Sequence, residues 1–308
     1  MPLTPTKKIW MDGQLIAWEK ATTHVLSHTL HYGTGAFEGI RAYATADGVA
    51  VFRLRDHMLR LLRSCKILMI DVPYTLNELC DAAVETIKAN KLESGCYIRP
   101  LIFLGYGEMG LNPLTSPTNV VIATWLWDLY FGAEGVEHGV RMMVSSWSRH
   151  SPNAMPSASK TVGGYVNSSL AKVEALKAGY DEAIMLGADG RISECTGENI
   201  FIVSNGALIT PPPSEAAALR GVTQESVVRI ANDLGYRVSF EALVRTDLYL
   251  ADEAFMSGTA AEIVPIQSVD DRVVGEGKPG PITRSLQATY AQAVRGELKQ
   301  YESWLTRI

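Results

Sequence analysis

The order of its strand-like and helix-like segments is the feature that most constrains how this chain folds. Two hairpins are predicted where apolar runs meet at a tight turn, at Asp12-Gly13 in KIWMDGQLIAW and at Asn205-Gly206 in NIFIVSNGALIT. Helical patterns lie between the strand patterns, but without the regular alternation that builds a parallel sheet. The sequence therefore favours an α+β fold over a doubly wound sheet.

Hydrophobic periodicity and capping signals predict the other elements. An apolar stripe at helical spacing predicts a helix from about Arg55 to Leu68, and Thr75 followed by Glu78 predicts a capping box on a helix that ends near Asn90. The same patterns predict strands in CYIRPLIFL, NVVIATWLW, 140–147, EAIML, RVSFEAL and EAFMSG, and helices at 164–178, 223–234 and from Pro281 to Leu298.

The length of 308 residues is enough for about two domains. The composition changes at DLYFGAEG, which follows the strand NVVIATWLW. We therefore predict an N-terminal α/β domain at 1–127, an interdomain loop at 128–137 and a C-terminal α+β domain at 138–308 that carries Lys160.

Charge and cysteine content narrow the class of protein. A net charge of −5 gives no general attraction to nucleic acid or to an anionic membrane. The four cysteines are scattered, without metal-ligand spacing, as is typical of a reducing compartment. No secretory signal and no transmembrane run is evident, so a soluble cytoplasmic enzyme or binding protein is expected.

Lys160 is the most informative single residue. It lies in SASKTVGGY, where its neighbours are small and uncharged. A flat ligand can approach and desolvate such an amine, which makes it a nucleophile toward carbonyls. A solvated surface lysine is the common alternative, and the local sequence alone does not exclude it.

Two backbone turns and one carboxylate could complete a binding site. Leu219-Arg-Gly221-Val-Thr223 precedes a helix with Thr223 at its predicted cap, and Ser257-Gly258-Thr259 follows a strand; both can hold an anion, or be ordinary turns. Glu194 lies between two strands, where a carboxylate can be an ordinary turn residue or can keep a pyridinium nitrogen protonated. Arg60 offers a fork of donors that suits a phosphate, or belongs to a solvated basic face with Arg55 and Arg63.

Two other motifs are interpreted as structural. The glycines of Gly105-Tyr-Gly107-Glu-Met-Gly110 match a dinucleotide fingerprint, but the prolines that follow prevent the helix that this site requires. His28-x-x-His31 lacks the further ligands of a metal site, so no metal is predicted.

Taken together, the motifs resemble those of the branched-chain amino-acid aminotransferases, fold-type IV enzymes that use pyridoxal 5'-phosphate (PLP). The resemblance covers nearly the whole chain, in LHYGTGAFEGIRAY, VFRLRDHMLRL, YIRPLIF, MVSSWSR, SASKTVGGY, GRISECTGENIF, LRGVTQE and FMSGTAAEIVPI. It implies a two-domain α+β aminotransferase with the cofactor at the domain interface. Arg220 is a departure, since the family often has proline there, and it adds a cation near the phosphate turn.

The resemblance also implies a role for each candidate residue. Lys160 would be the catalytic Schiff-base lysine, Glu194 would keep the ring nitrogen protonated and Tyr165 would bind the ring hydroxyl. The implied phosphate-binding residues are Arg60, Gly221, Val222, Thr223, Gly258 and Thr259. The implied substrate-binding residues are Tyr97, Thr259 and Ala260 for the carboxylate, Arg99 for the distal carboxylate of glutamate, and Phe37, Trp127, Tyr130 and a partner's Tyr32 for the apolar pocket.

The implied reaction is a ping-pong transfer of the amino group from L-valine, L-leucine or L-isoleucine to 2-oxoglutarate, by a homodimer or higher homo-oligomer. The alternatives are a D-amino-acid or (R)-amine aminotransferase on the same scaffold, an aminodeoxychorismate lyase, or a non-catalytic ligand-binding protein. The pocket positions follow the branched-chain pattern, and an intact Lys160 with Glu194 argues against a protein without catalysis.

Overall fold

The computed structural model describes residues 3–128 and 130–308. Its strands are β1 Lys8–Met11, β2 Gln14–Ala17, β3 Gly35–Phe37, β4 Ile40–Thr45, β5 Gly48–Phe52, β6 Gly95–Leu104, β7 Thr118–Trp125, β8 Val140–Val144, β9 Glu182–Leu186, β10 Ile192–Cys195, β11 Asn199–Ser204, β12 Ala207–Thr210, β13 Val238–Phe240, β14 Glu253–Gly258, β15 Glu262–Val269, β16 Arg272–Val273 and β17 Leu305–Arg307. Its α-helices are α1 His28–Tyr32, α2 Leu54–Ile67, α3 Leu76–Asn90, α4 Gly132–His138, α5 Tyr165–Lys177, α6 Val222–Asp233, α7 Arg245–Leu250 and α8 Pro281–Val294.

The described residues form two compact units. The first comprises residues 3–127, Ser159–Gly164 and Gln292–Ile308, and the second comprises Asp128–Ala158 and Tyr165–Ala291. This division differs from the predicted domains, because the Lys160 segment, residues Ser159–Gly164, and the C-terminal residues Gln292–Ile308 belong to the first unit. The predicted interdomain loop at 128–137 also contains most of the helix α4.

The first unit is built on an antiparallel sheet in the order β17-β5-β4-β6-β7-β1-β2, with β3 paired to β6. The apolar stripe of α2 is buried against this sheet, since Met58, Leu61 and Cys65 belong to its core cluster. The last strand, β17, joins the edge beside β5 and explains why the C-terminal residues belong to this unit.

The second unit contains a mixed sheet in the order β10-β9-β8-β15-β14-β11-β12-β13, with β16 paired to β15. The pairs β8–β9, β8–β15 and β12–β13 are parallel and the others are antiparallel. Sheets of this kind, with helices placed irregularly between strands, confirm the predicted α+β fold.

The locally encoded elements lie close to their predicted positions. Both hairpin turns have positive φ at their two central residues, 47° and 90° at Asp12-Gly13 and 50° and 74° at Asn205-Gly206. The capping box at Thr75 and Glu78 is present. One cap was predicted wrongly: Gly221, not Thr223, is the N-cap of α6, and Thr223 is already helical.

No described helix is both long enough and apolar enough to cross a membrane.

Candidate active site

The Lys160 segment is an added strand-like element beside β3. The N–H of Phe37 donates to the carbonyl of Lys160 at 3.1 Å, and the Lys160 N–H donates to Ser64 Oγ at 3.0 Å. A Cβ on Gly33, whose φ is +67°, would lie 2.6 Å from the Gly163 Cα, so glycine is needed for this close approach. The backbone of the lysine is thus held by residues that are distant in sequence.

The side chain of Lys160 is half-buried and lies against an aromatic ring. Its Nζ is 5.0 Å from the centroid of Phe37. Ser159 and Thr161, on either side, are buried and bond each other through their hydroxyls at 2.7 Å. The neighbours of the amine are small and uncharged, the property from which the sequence predicts that a flat ligand can approach it.

A second cluster in the first unit surrounds the guanidinium of Arg99. The guanidinium carbon lies 4.8 Å from the Phe37 ring centroid, and Nη2 donates to the Tyr97 hydroxyl at 3.1 Å. The rings of Tyr97 and Trp127 are in contact, with centroids 4.5 Å apart. Residue 39 is glycine, and a Cβ at this position would overlap the Tyr97 hydroxyl. The predicted residues Phe37, Tyr97, Arg99 and Trp127 therefore lie together.

Arg99 also carries an unsatisfied group. Its Nε is buried and has no hydrogen-bond partner among the described residues. A buried N–H of a cation that lacks an acceptor is costly, and a bound carboxylate would supply one.

Arg60 forms a bidentate pair with the buried carboxylate of Glu38, and Glu38 is not among the residues predicted from the sequence. Arg60 Nε and Nη2 donate to the two carboxylate oxygens at 2.6 and 2.8 Å, and His57 Nδ1 lies 2.8 Å from Oε2. Burial opposes ionisation of Glu38, but Arg60 and His57 outweigh it and hold the pKa of this carboxyl well below its usual range. Burial lowers the pKa of His57 despite its carboxylate partner.

Tyr32 is the last residue of α1. Its side chain is 40% exposed, and its ring contacts that of His28 at 4.6 Å. Both ring nitrogens of His28 have partners, Thr34 Oγ1 at 2.7 Å and the Gly110 carbonyl at 2.8 Å. These contacts give His28 a structural position, as interpreted from the sequence.

In the second unit, Glu194 is a buried carboxylate whose partners include Arg149 and the backbone of Leu219. Arg149 Nη2 lies 2.6 Å from Oε1, and the Leu219 N–H donates to Oε2 at 3.1 Å. Arg149 is itself fixed by a bond from Nη1 to Ser168 Oγ at 2.9 Å. Arg149 is not among the residues predicted from the sequence. It lies in MVSSWSR, and its place in this family motif is the one feature of the sequence that could have indicated a role in the site.

The two predicted anion-binding turns are linked through Asn199. Asn199 pairs with Ser257 across the β11–β14 ladder, and its Nδ2 donates to the Leu219 carbonyl at 2.9 Å. A Cβ on Gly221 would overlap Asn199 Oδ1, so the chain before α6 must be glycine there. Residues 219–223 and 257–259 therefore lie near one another.

This pair of turns is rich in buried donors. Gly221 caps α6 without a side-chain hydrogen bond, and the first-turn residues Val222 and Thr223 are buried. The first N–H groups of a helix have no acceptor within the helix. Ser257 Oγ is buried and has no partner among the described residues. Thr259 and Ala260 form the half-buried turn after β14.

The last two predicted residues lie at element ends of the second unit. Tyr165 is half-buried and begins α5. Tyr130 is 42% exposed, and its ring meets that of Phe131 edge-on with centroids 4.7 Å apart.

Comparisons with known proteins identify the family. The model of the amino-transferase class IV family matches residues 35–269. This chain is a class IV aminotransferase. It is 47% identical to the branched-chain-amino-acid aminotransferase of Escherichia coli (strain K12) over 307 residues, covering 98% of this chain and 99% of the relative. The resemblance inferred from the motifs is confirmed.

Solved structures agree with this aminotransferase assignment. A crystal structure of the E. coli branched-chain amino acid aminotransferase is similar with a TM-score of 0.96 and 46% identity, over 98% of this chain and 99% of that one. The T.th. branched-chain amino acid aminotransferase complexed with N-(5'-phosphopyridoxyl)-L-glutamate has a TM-score of 0.93 and 45% identity, over 98% of both chains. The fold is the fold-type IV aminotransferase fold.

PLP is the cofactor of this class of aminotransferase, and the residues present fit it. The first unit offers the Lys160 amine for the aldehyde. The second offers an Arg149-bound carboxylate for the ring nitrogen, and buried N–H groups with an unpartnered Ser257 hydroxyl for a phosphate. The aldehyde, the ring nitrogen and the phosphate of PLP thus each have a complementary group in the described residues.

Proposed function

We propose that this aminotransferase transfers the amino group of L-valine, L-leucine or L-isoleucine to 2-oxoglutarate in a ping-pong reaction. The observation that carries the proposal is the guanidinium of Arg99 within aromatic walls. The names of the similar proteins support the branched-chain substrates, and the glutamate adduct bound by the T.th. enzyme supports an acidic second substrate.

The Arg99 cluster can serve both substrates. The rings of Phe37, Tyr97 and Trp127 offer apolar surface to a branched aliphatic side chain. Arg99 has an unpartnered buried Nε, which suits the distal carboxylate of glutamate or 2-oxoglutarate. We assign the substrate's own carboxylate to Tyr97 and the turn Thr259-Ala260, and further apolar contacts to Tyr130.

We assign the cofactor contacts as the family resemblance implies. Lys160 would bind the cofactor through its aldehyde carbon, Glu194 would bind the ring nitrogen and Tyr165 the ring hydroxyl. The phosphate is assigned to Arg60, Gly221, Val222, Thr223, Gly258 and Thr259. The helix N-terminus and the small turn residues support the backbone part of this set, whereas Arg60 already binds Glu38 with two of its nitrogens.

The residues of this chain perform the proton chemistry. When bound, PLP supplies an electron sink for the pair of electrons left when the substrate Cα loses its proton. Lys160 takes that proton as general base and returns it as general acid. The Glu194 carboxylate, which lies 2.6 Å from Arg149 Nη2, would accept a hydrogen bond from the ring nitrogen and so favour its protonated form.

The role of Arg99 can be tested with Arg99→Met, which keeps an apolar side chain of similar length. We expect kcat/KM for 2-oxoglutarate to fall by roughly 100-fold, as for the loss of one buried charge pair. For leucine we expect a change of less than about fivefold, because an aliphatic side chain never needs the charge. Initial rates with leucine and 2-oxoglutarate varied together should give parallel double-reciprocal lines in the parent.

Arg99→Lys is the matched control, since it keeps the charge but loses the fork. It should recover part of the activity with 2-oxoglutarate. Equal losses for leucine and 2-oxoglutarate in Arg99→Met would show that Arg99 has a structural task instead.

We propose further that two copies of the chain associate through an apolar patch of the first unit. The patch consists of exposed residues on the segments 25–32 and 106–111: Val25, Leu30, Tyr32, Tyr106, Met109 and Leu111. The two segments lie against each other, because Ser27 and Tyr106 form an isolated antiparallel β-bridge. An exposed apolar patch of this kind is typical of a protein interface, and it contains the residue that the resemblance assigns to a partner, Tyr32.

The double change Leu30→Asp with Leu111→Asp should weaken this association. Both leucines are exposed, at 59% and 84%, so the folded chain tolerates the change while a buried interface does not. We expect the dissociation constant of the dimer to rise by roughly 100-fold or more, measured by sedimentation velocity. Leu250→Asp, at a site 81% exposed outside the patch, is the control. Unchanged sedimentation of the double variant would contradict the proposed interface.

We assign the site of action to the cytoplasm. All four cysteines are unpaired in the structure. Burial raises the pKa of Cys65 and Cys96 to about 12, so these thiols stay protonated and unreactive. Free thiols support a reducing compartment.

A further inference from the structure

Lys172 is a partly buried lysine on α5 that the catalytic assignments do not use. Its Nζ donates to the Asp181 carbonyl at 2.6 Å and to Glu182 Oε2 at 2.7 Å. Its side chain is 21% exposed, whereas the Glu182 side chain is fully buried. The ammonium is therefore fixed in one position by a buried carboxylate.

Glu182 is held from its other side as well. Thr196 Oγ1 and the Ala183 N–H both donate to Oε1 at 2.7 Å. With both carboxylate oxygens bonded, Glu182 has little freedom, and a paired buried carboxylate holds its cation firmly.

The fixed ammonium lies against two aromatic rings at the start of α4. Nζ is 5.1 Å from the ring centroid of Phe131 and 5.6 Å from that of Tyr130. These distances are within the range of cation–π attraction. The two rings pack edge-on against each other. A contact that fixes the Phe131 ring therefore also restricts the orientation of the Tyr130 ring.

We propose that Lys172 is a positioning residue for Tyr130 and sets the aliphatic side of the substrate site. The inference rests on the proposed function, in which Tyr130 contacts the apolar side chain of the substrate. Glu182 anchors the ammonium, the ammonium orients Phe131 and Tyr130, and the Tyr130 ring then presents a fixed surface to leucine. Lys172 itself touches neither substrate nor cofactor.

Lys172→Met alone would leave Glu182 buried without its cation and could unfold the chain. The test therefore uses the double variant Lys172→Met with Glu182→Gln, which removes both charges together. Lys172→Arg is the rescue variant, because guanidinium groups also pair with carboxylates and stack on aromatic rings. Lys177→Met, on an exposed position of the same helix, is the matched control.

Two measurements on the purified holoenzyme test the inference. In the double variant we expect KM for leucine to rise by roughly five- to tenfold, the size that one or two cation–π contacts support, with kcat within about threefold. Without substrate, we expect amide hydrogen exchange in residues 130–138 to be faster than in the parent, while the visible absorption of bound PLP is unchanged. Lys172→Arg and Lys177→Met should be close to the parent in both measurements.

Parental KM and parental exchange at 130–138 in the double variant would overturn the inference. Slower kcat with unchanged KM would overturn it as well, because it would mean that the charges act on the chemistry and not on substrate binding. Failure of the proposed function gives a different result, because the parent enzyme itself would not turn over leucine. In that case the hydrogen-exchange measurement would still show whether Lys172 fixes the rings of Phe131 and Tyr130.

Discussion

Replacement of Lys160 by alanine is expected to abolish transamination, with kcat for leucine and 2-oxoglutarate lower by at least about a thousandfold. The change removes the amine to which we assign two roles, covalent binding of the cofactor and proton transfer at the substrate Cα. The fold should persist, because the contacts of this segment to Ser64 and Phe37 include backbone bonds that alanine retains. Steady-state rates and reductive trapping of PLP with borohydride, read by mass spectrometry, measure the two losses.

Lys66→Ala is the matched control for this prediction, because Lys66 is an exposed lysine in the same unit. It should trap PLP and turn over like the parent. Retained transamination in Lys160→Ala, or trapping on another lysine, would rule out the assigned residue.

Glu194→Gln is expected to lower kcat by roughly 100- to 1,000-fold, the usual loss when one preorganised electrostatic group is removed. A neutral amide cannot hold a proton on the ring nitrogen, so the electron sink is weaker. Cofactor affinity should change far less, since the phosphate turns at Gly221 and Gly258 are untouched. Stopped-flow rates of the half-reaction with leucine and a PLP titration separate the two effects.

The same substitution also affects stability, because Arg149 would keep its charge in a buried place without Glu194. Removing one partner of a buried ion pair typically costs about 3–5 kcal/mol of unfolding free energy. The double variant Glu194→Gln with Arg149→Met should recover much of the Tm but not kcat. Recovery of kcat together with Tm would show that Glu194 contributes only to stability.

The parts of this fold that could be predicted from the sequence are those with a local cause. Thr75 and Glu78 specify a helix start within one turn, and Asn205-Gly206 specifies a hairpin turn within two residues. The candidate site residues, a lysine, a carboxylate and two turns suited to an anion, are also predicted from motifs of a few residues each, and their roles stay predictions.

The parts that could not be predicted depend on contacts between distant residues. The Lys160 segment groups with the first unit because it pairs with β3 and Ser64, and nothing in SASKTVGGY encodes those partners. Glu38 looks like any acidic residue in AFEGI, yet burial beside Arg60 and His57 makes it the anchor of both. The cap of α6 was assigned to Thr223 because threonine is a good cap, whereas close packing on Asn199 selects Gly221.

The central claim, a PLP-dependent aminotransferase specific for branched L-amino acids, is tested most directly by the visible absorption spectrum of the purified holoenzyme. L-leucine is added without any 2-oxo acid, and D-alanine is added to a parallel sample. We predict that the absorption of the lysine-bound cofactor bleaches with L-leucine alone, since a ping-pong enzyme completes its first half-reaction without an acceptor. Bleaching with D-alanine only, or no PLP absorption even after PLP is added, would contradict the account.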